Sequence, residues 1–211
     1  MTLVVAIQAK DSIILSVDKR IIHAENRDTN TSSFYSDECK LHLWEKGAVT
    51  GSGEFQIIQN VNQWLQQNQD ISRLPKILND IKKQRIIKVG QHEQITNSSI
   101  IFSTKNKDTP QLYAIRVNDE LEKLEPDNIF ILHPTKHISP SSEFIREVKK
   151  LSAKINEYKQ FTDNQSWINH YLTLLSDIYK KQSLACDKIS ADFHVFFQSS
   201  SYSTVVHMMN D

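Results

Sequence analysis

Glycine is scarce in this chain, with four among 211 residues, and two of those four, Gly51 and Gly53, fall in a single Gly-Ser-Gly stretch. Where glycine is this rare, each one marks a backbone position that a side chain would disturb. Cysteine is nearly missing too. Cys39 and Cys186 form no CxxC pair, which argues against a disulfide framework or a zinc knuckle. Net charge is zero and no basic block stands out, so the dense cationic face that nucleic acid requires is lacking. No apolar run approaches the roughly 20 residues of a membrane span. The N-terminus lacks a basic region followed by a long apolar one, so a signal peptide is not expected and a cytoplasmic protein is. The eight histidines are scattered, with no HExxH and no paired ligand spacing, and no metal or other cofactor is expected.

What is present is a chain built to fold. Hydrophobic residues make up 39% and charged residues 24%, the balance of a globular protein, and no linker, repeat or low-complexity tract divides it. We therefore expect one domain over residues 1–211.

Leu3 to Gln8 and Ser12 to Val17 read as an antiparallel strand pair rich in Val and Ile, turning at Lys10-Asp11. Residues 23–38 are polar and read as a loop or weak strand. Lys40 to Leu43 and Ala48 to Thr50 form a second strand pair, turning at Glu45-Lys46-Gly47. The Gly-Ser-Gly stretch then leads into a helix whose broad face carries Phe55, Ile58, Val61 and Leu65. A second helix is expected over about 73–88, and strands near 98–103, 111–117 and 128–132, with Lys105–Pro110 as a hairpin loop. Ser139-Pro140 reads as a helix start. Phe144, Val148, Leu151, Ile155 and Tyr158 continue that helix at spacings of four, three, four and three. Asp163 is placed to cap a further helix bearing Trp167, Tyr171, Leu174, Leu175 and Ile178. Two strands close the chain: Phe193, Val195 and Phe197 alternate in the first, and Val205, Val206 and Met208 lie in the second. Hairpins separated by helix pairs predict an α+β sandwich, two antiparallel sheets face to face with helices outside.

Chemistry concentrates at the start. Removal of Met1 would make Thr2 the N-terminus, and an N-terminal threonine carries its own general base, an α-amine with a reference pKa near 8. A neighbouring lysine would lower that pKa by charge repulsion. Thr2 alone is an ordinary residue for this position. Its surroundings are less ordinary: Thr-x-Val-Val-x-Ile opens the first strand, and Asp18-Lys19-Arg20 ends the second.

This pattern resembles the N-terminus of proteasome β subunits and their bacterial relative HslV, which are N-terminal nucleophile hydrolases. The resemblance implies a four-layer αββα sandwich and a threonine endopeptidase with Thr2 as nucleophile. It implies supporting roles for Asp18, within a D-x-R motif, and for Lys40, ahead of a Gly-rich turn and a helix. Lys46 is the poorer candidate because it falls at a turn. A backbone N–H at Gly51 would form the oxyanion hole, with Gly53 as the alternative. Asp187-Lys188-Ile189-Ser190 matches the family's D-x-x-S-G in the aspartate and the serine, so Asp187 and Ser190 would support the N-terminal amine; Ala191 stands where glycine is usual. The family's G-S-G motif before its third helix has no counterpart here, where the chain reads Ile131-Leu-His-Pro134 and then Ser139-Pro-Ser-Ser142. Relatives form closed rings with the active sites inside, and the HslV type works with an ATP-driven unfoldase. The implied partners are therefore further copies of the chain, a peptide or unfolded-protein substrate and an unfoldase. Two other readings stay open: a catalytically inactive ring or scaffold subunit, and an amidohydrolase acting on a small-molecule amide.

Overall fold

The computed structural model describes residues 2–23, 34–68, 70–106, 109–117, 120–133 and 141–210. The chain opens with β1 (Val4–Gln8) and β2 (Ser12–Asp18), then β3 (Arg20–His23) and β4 (Phe34–Asp37), then β5 (His42–Trp44) and β6 (Gly47–Ser52). Helices α1 (Phe55–Gln67), α2 (Leu74–Val89) and the short α3 (Glu93–Thr96) follow. Next come β7 (Ser99–Asn106), β8 (Thr109–Ile115), β9 (Leu121–Lys123) and β10 (Asn128–Leu132). Helices α4 (Ser142–Ser152) and α5 (Asn164–Ala185) lead to β11 (Phe193–Ser199) and β12 (Ser203–Met208).

Two five-stranded antiparallel sheets form, in the orders β10-β1-β2-β11-β12 and β5-β6-β7-β8-β9, and β3 and β4 make a separate pair. Three apolar layers hold them. Val4, Ala6, Ile13, Leu15 and Val17 of the first sheet meet Ala48, Ile101, Leu112 and Ala114 of the second. The first sheet's other face, Leu3, Val5, Ile7 and Ile14, packs under Phe144, Trp167, Tyr171 and Leu175 of α4 and α5. On the second sheet, Val49, Ile100 and Phe102 pack under Ile57, Val61, Leu74 and Leu78 of α1 and α2. The result is the expected four-layer αββα sandwich. Because β1 and β2 are covered on both faces, they read as unbroken apolar runs rather than as alternating ones.

Most elements fall where the residue pattern placed them, and Asp163 does cap α5, its carboxylate accepting from Ser166 N at 2.7 Å. Two expectations are corrected, and the first concerns the predicted Lys105–Pro110 loop: β7 and β8 run into it from both sides, pairing Lys105 with Pro110 and Asn106 with Thr109. The helix predicted to run on to Tyr158 stops at Ser152. The main-chain N–H groups beyond it are claimed from elsewhere: Tyr171 Oη accepts from Asn156 N at 3.0 Å, and the Asp11 carboxylate accepts from Tyr158 N at 2.7 Å and Lys159 N at 3.1 Å. Ile155 and Tyr158 keep their contact with the core, Tyr158 from a separate 3-10 turn over Tyr158–Gln160. The polar stretch after β2 yields two short strands, with Arg20 paired to Asp37, and residues 24–33 lie outside the described residues. The expected helix start at Ser139-Pro140 also lies outside them; the described helix is capped by Ser141, whose Oγ accepts from Phe144 N at 3.1 Å.

A buried amide locks the sheets together at the end of β1. Gln8 Nε2 donates to Pro110 O at 3.3 Å, and Gln8 Oε1 accepts from Leu112 N at 2.7 Å. Gln111 Nε2 also donates to Gln8 Oε1, at 3.1 Å, and reaches Leu124 O at 2.7 Å. Among the described residues no helix is long and apolar enough to cross a membrane.

Glu147 on α4 clamps that helix to α5, accepting from Lys181 Nζ at 2.9 Å and from Lys150 Nζ at 3.1 Å. Hydrogen bonds from the two lysines, Lys181 first, hold its carboxyl down at about 2 against an ordinary 4.5. A carboxyl depressed in the folded state stabilises above its unfolded pKa and loses that contribution as pH falls. Glu147→Gln should therefore lower the melting temperature by about 2–4 °C at pH 7, the shift that roughly 1 kcal/mol produces in a domain of this size. The gap should close as pH is lowered from about 5 toward 2, a trend that thermal melts across that range will show.

Candidate active site

The β1–β2 hairpin sets Thr2 and Asp18 side by side, because Val4 pairs with Val17 and the two chain ends lie just beyond that pair. Asp18 Oδ1 accepts from Leu3 N at 2.9 Å, and Asp18 N donates to Leu3 O at 3.2 Å. Asp18 Oδ2 accepts from Arg20 N at 3.1 Å, and the main-chain N–H of Ser190 also donates to this carboxylate. Lys40 enters from the segment before β5. Its ammonium donates to both Asp18 oxygens, at 3.1 and 3.0 Å, and to Thr2 Oγ1 at 3.4 Å. All three side chains are buried: Thr2 is 4% exposed, Asp18 0% and Lys40 2%.

Burial controls the electrostatics. Withdrawal from water raises the Asp18 carboxyl above its usual value and lowers the Lys40 ammonium below its own, each partner's charge opposing the other's shift. The carboxylate gathers main-chain donors from three segments, while the ammonium bridges it to the threonine hydroxyl.

The other candidates are placed as follows. Gly51 is buried in β6 opposite Ile100, two residues beyond the last pair that β6 makes with β5. A Cβ on Gly51 would stand 2.2 Å from Ser99 O. Gly53 carries the turn into α1 at φ +107, a conformation that suits glycine. Lys46 sits at the β5–β6 turn, at the far end of that hairpin from Lys40, its carbonyl accepting from Gln198 Nε2 at 3.0 Å. Asp187 is exposed, and its carbonyl accepts from Arg20 Nη1 at 2.5 Å. Ser190 reaches the buried pair through its main chain, and its hydroxyl accepts from Asp192 N at 3.1 Å. The structure thus brings Thr2, Asp18 and Lys40 into direct contact, with Ser190 joined by its backbone and Asp187 one residue contact further out.

Two residues of this cluster were not among the sequence candidates. Tyr179 of α5 is fully buried with its ring stacked on Phe193, centroids 4.3 Å apart, and its single hydroxyl proton is shared between Ser16 Oγ at 3.0 Å and Leu3 O at 3.4 Å. Ser16 Oγ donates in turn to Val5 O at 2.9 Å. Helical spacing marks Tyr179 as a core position next to Ile178, but spacing does not say what a hydroxyl reaches.

The geometry can be set beside known proteins. No family model matches the chain, and no curated protein sequence does. Solved structures do. A Gly-1 variant of Anbu from Hyphomicrobium sp. strain MC1 superposes with a TM-score of 0.68 at 14% identity, covering 100% of this chain and 88% of that one. The Anbu complex from Pseudomonas aeruginosa, described as a helical assembly, gives 0.68 at 13% identity, covering 99% and 87%. The chain has the Anbu fold. At such identities the likeness is one of architecture, and it extends over the whole chain. Among the described residues no group of three or more His, Cys, Asp or Glu side chains could hold a metal ion.

Taking one partner from a buried ion pair leaves the other charge uncompensated, at a cost of about 3–5 kcal/mol. Asp18→Asn should lower unfolding free energy by that order, read from urea titration. Adding Lys40→Met to it should return much of the loss. If Asp18→Asn matched wild type, the pair would not carry the balance described above.

Proposed function

We propose that the chain is a threonine-type peptidase of the proteasome-like, N-terminal nucleophile kind, with Thr2 exposed as the N-terminus by removal of Met1. One observation carries the reading: the Thr2 hydroxyl lies 3.4 Å from an ammonium that is itself held by a buried carboxylate. The Anbu fold, found in structures from two organisms, supports the placement of a nucleophile at the head of the first strand.

In this mechanism the Thr2 α-amine takes the hydroxyl proton as Oγ1 attacks a peptide carbonyl. The Lys40 cation keeps the α-amine largely unprotonated by charge repulsion and stabilises the alkoxide as it forms. Asp18 fixes Lys40 and, through Leu3 N, the peptide that follows the nucleophile. The oxyanion of the tetrahedral intermediate needs main-chain N–H donors, and the Gly51–Gly53 segment supplies them; one such donor is worth about a hundredfold or more in rate. Collapse breaks the C–N bond, the leaving amine takes the proton from the α-ammonium, and water then hydrolyses the Thr2 ester. Ser190 and Asp187 steady the site through their main-chain bonds to Asp18 and Arg20.

The working form is a homo-oligomer built from repeated copies, as the helical assembly described for the Pseudomonas aeruginosa complex supports. Head-to-tail contacts of one kind close into a ring or continue as a helix depending on the rotation per subunit. Such an enclosure would restrict substrates to peptides or unfolded chains, delivered with or without an unfoldase.

Three measurements test this. Intact mass of protein made in cells should show Met1 removed; a retained methionine leaves no free amine and defeats the mechanism. Thr2→Ala should abolish peptide hydrolysis and labelling by a threonine-directed electrophile while assembly survives. Lys40→Ala should be about as damaging as Thr2→Ala, since residues acting as one unit are non-additive, whereas Lys46→Ala should leave turnover near wild type.

A further inference from the structure

We propose that Tyr179 is a positioning residue for the nucleophile, acting through the main chain of Leu3; this rests on the threonine-peptidase reading above. Leu3 is the residue bonded directly to Thr2, and both of its main-chain polar groups are held. Its N–H donates to Asp18 Oδ1 at 2.9 Å. Its carbonyl accepts from Asp18 N at 3.2 Å and lies 3.4 Å from the Tyr179 hydroxyl, whose single proton it shares with Ser16 Oγ. The same hydroxyl meets Ser16 Oγ at 3.0 Å, and Ser16 Oγ donates to Val5 O at 2.9 Å, so the chain of bonds runs along β1 to the residue after next.

This arrangement differs from ordinary core satisfaction in where it acts. Thr2 precedes the first residue of β1 by two positions and lies outside the strand ladder, whose first pair on each side is at Val4. Nothing in the sheet itself therefore fixes the peptide between Thr2 and Leu3. That peptide is held by Asp18 Oδ1 through Leu3 N–H, and the next one, Leu3–Val4, by Asp18 N and Tyr179 through the Leu3 carbonyl, so Tyr179 acts on the residue that carries the first peptide. Tyr179 is able to hold it because the phenol is fully buried, stacked on Phe193 at an interplanar angle of 11°, and has no freedom to turn away. Desolvation, with the Asp18 charge nearby, also pushes the phenol well above its ordinary pKa, so it remains a donor throughout the range in which a threonine amine works.

Misplacement of a reacting atom by about an ångström is enough to cost roughly a hundredfold in rate. Loss of one of the two holds on Leu3 should cost less, about tenfold, and should fall on kcat rather than KM, because substrate contacts are untouched. The test is Tyr179→Phe in the full-length, processed protein, which keeps the ring and its stack and deletes the hydroxyl alone. Peptide hydrolysis, electrophile labelling of Thr2, urea stability and hydrogen exchange of the N-terminal peptide, residues 2–8, are measured together, with Thr2→Ala as reference.

The proposal expects kcat reduced about tenfold, KM unchanged, slower labelling and faster exchange in the N-terminal peptide, in protein that urea shows to be fully folded. If Tyr179→Phe matches wild type in kcat and exchange while Thr2→Ala is dead, the positioning role is overturned and the nucleophile assignment stands. If the kcat loss equals the fraction of protein unfolded, Tyr179 is a core residue only, which also overturns it. If wild type is processed and folded yet neither turns over peptide nor takes the label, the peptidase reading itself fails and the positioning role goes with it.

Discussion

A buried lysine and a buried aspartate, 3.0 Å apart and shielded from water, are the contact on which this structure turns. Two such charges lose most of their hydration, and mutual attraction repays that loss only when the remaining lone pairs and protons are also satisfied. The chain meets the condition by recruiting distant segments. Leu3 comes from before the first strand, Arg20 from the end of the first hairpin, and Ser190 from the turn after the longest helix, each donating a main-chain N–H to one carboxylate. Swapping a buried ion pair for apolar residues is often neutral, but here it would also strand the three main-chain N–H groups that the carboxylate accepts. The retained pair is best understood as fixing the place of a hydroxyl as well as gathering those segments.

The sandwich was legible in the residues because its elements announce themselves locally. Val and Ile runs mark β1 and β2, the four-three spacing marks α4, and Asp163 ahead of an amphipathic stretch marks the start of α5. What escaped was set by partners far away in sequence. Helix α4 ends early because Asp11 and Tyr171 take up the amides beyond it, and neither residue is near Tyr158 in the chain.

The site divides in the same way. Thr2, Asp18 and Lys40 could be picked out because their order and spacing resemble those of proteasome β subunits, and the structure places the three in contact. For Asp187 and Ser190 the residue types do not give the atoms used. Their positions near the buried pair were readable from the motif, and the Asp187 carbonyl, by way of Arg20, and the Ser190 main-chain N–H are among the atoms that reach it. Tyr179 was invisible for the opposite reason: the ring belongs to a core stripe, and only the three-dimensional path of α5 brings its hydroxyl to Leu3.

The Gln8 bridge acquires a mechanical meaning once the ends of the sandwich are distinguished. It ties β1 to β8 at the close of the first strand, through Pro110 and Leu112, while Thr2 lies at the opening of the same strand. At that opposite end Lys40, from the segment leading into β5 of the second sheet, is bonded to Asp18 of the first. The two layers are thus pinned by polar bonds at both ends of β1, an amide at one and an ion pair at the other, and Thr2 sits beside the charged pin.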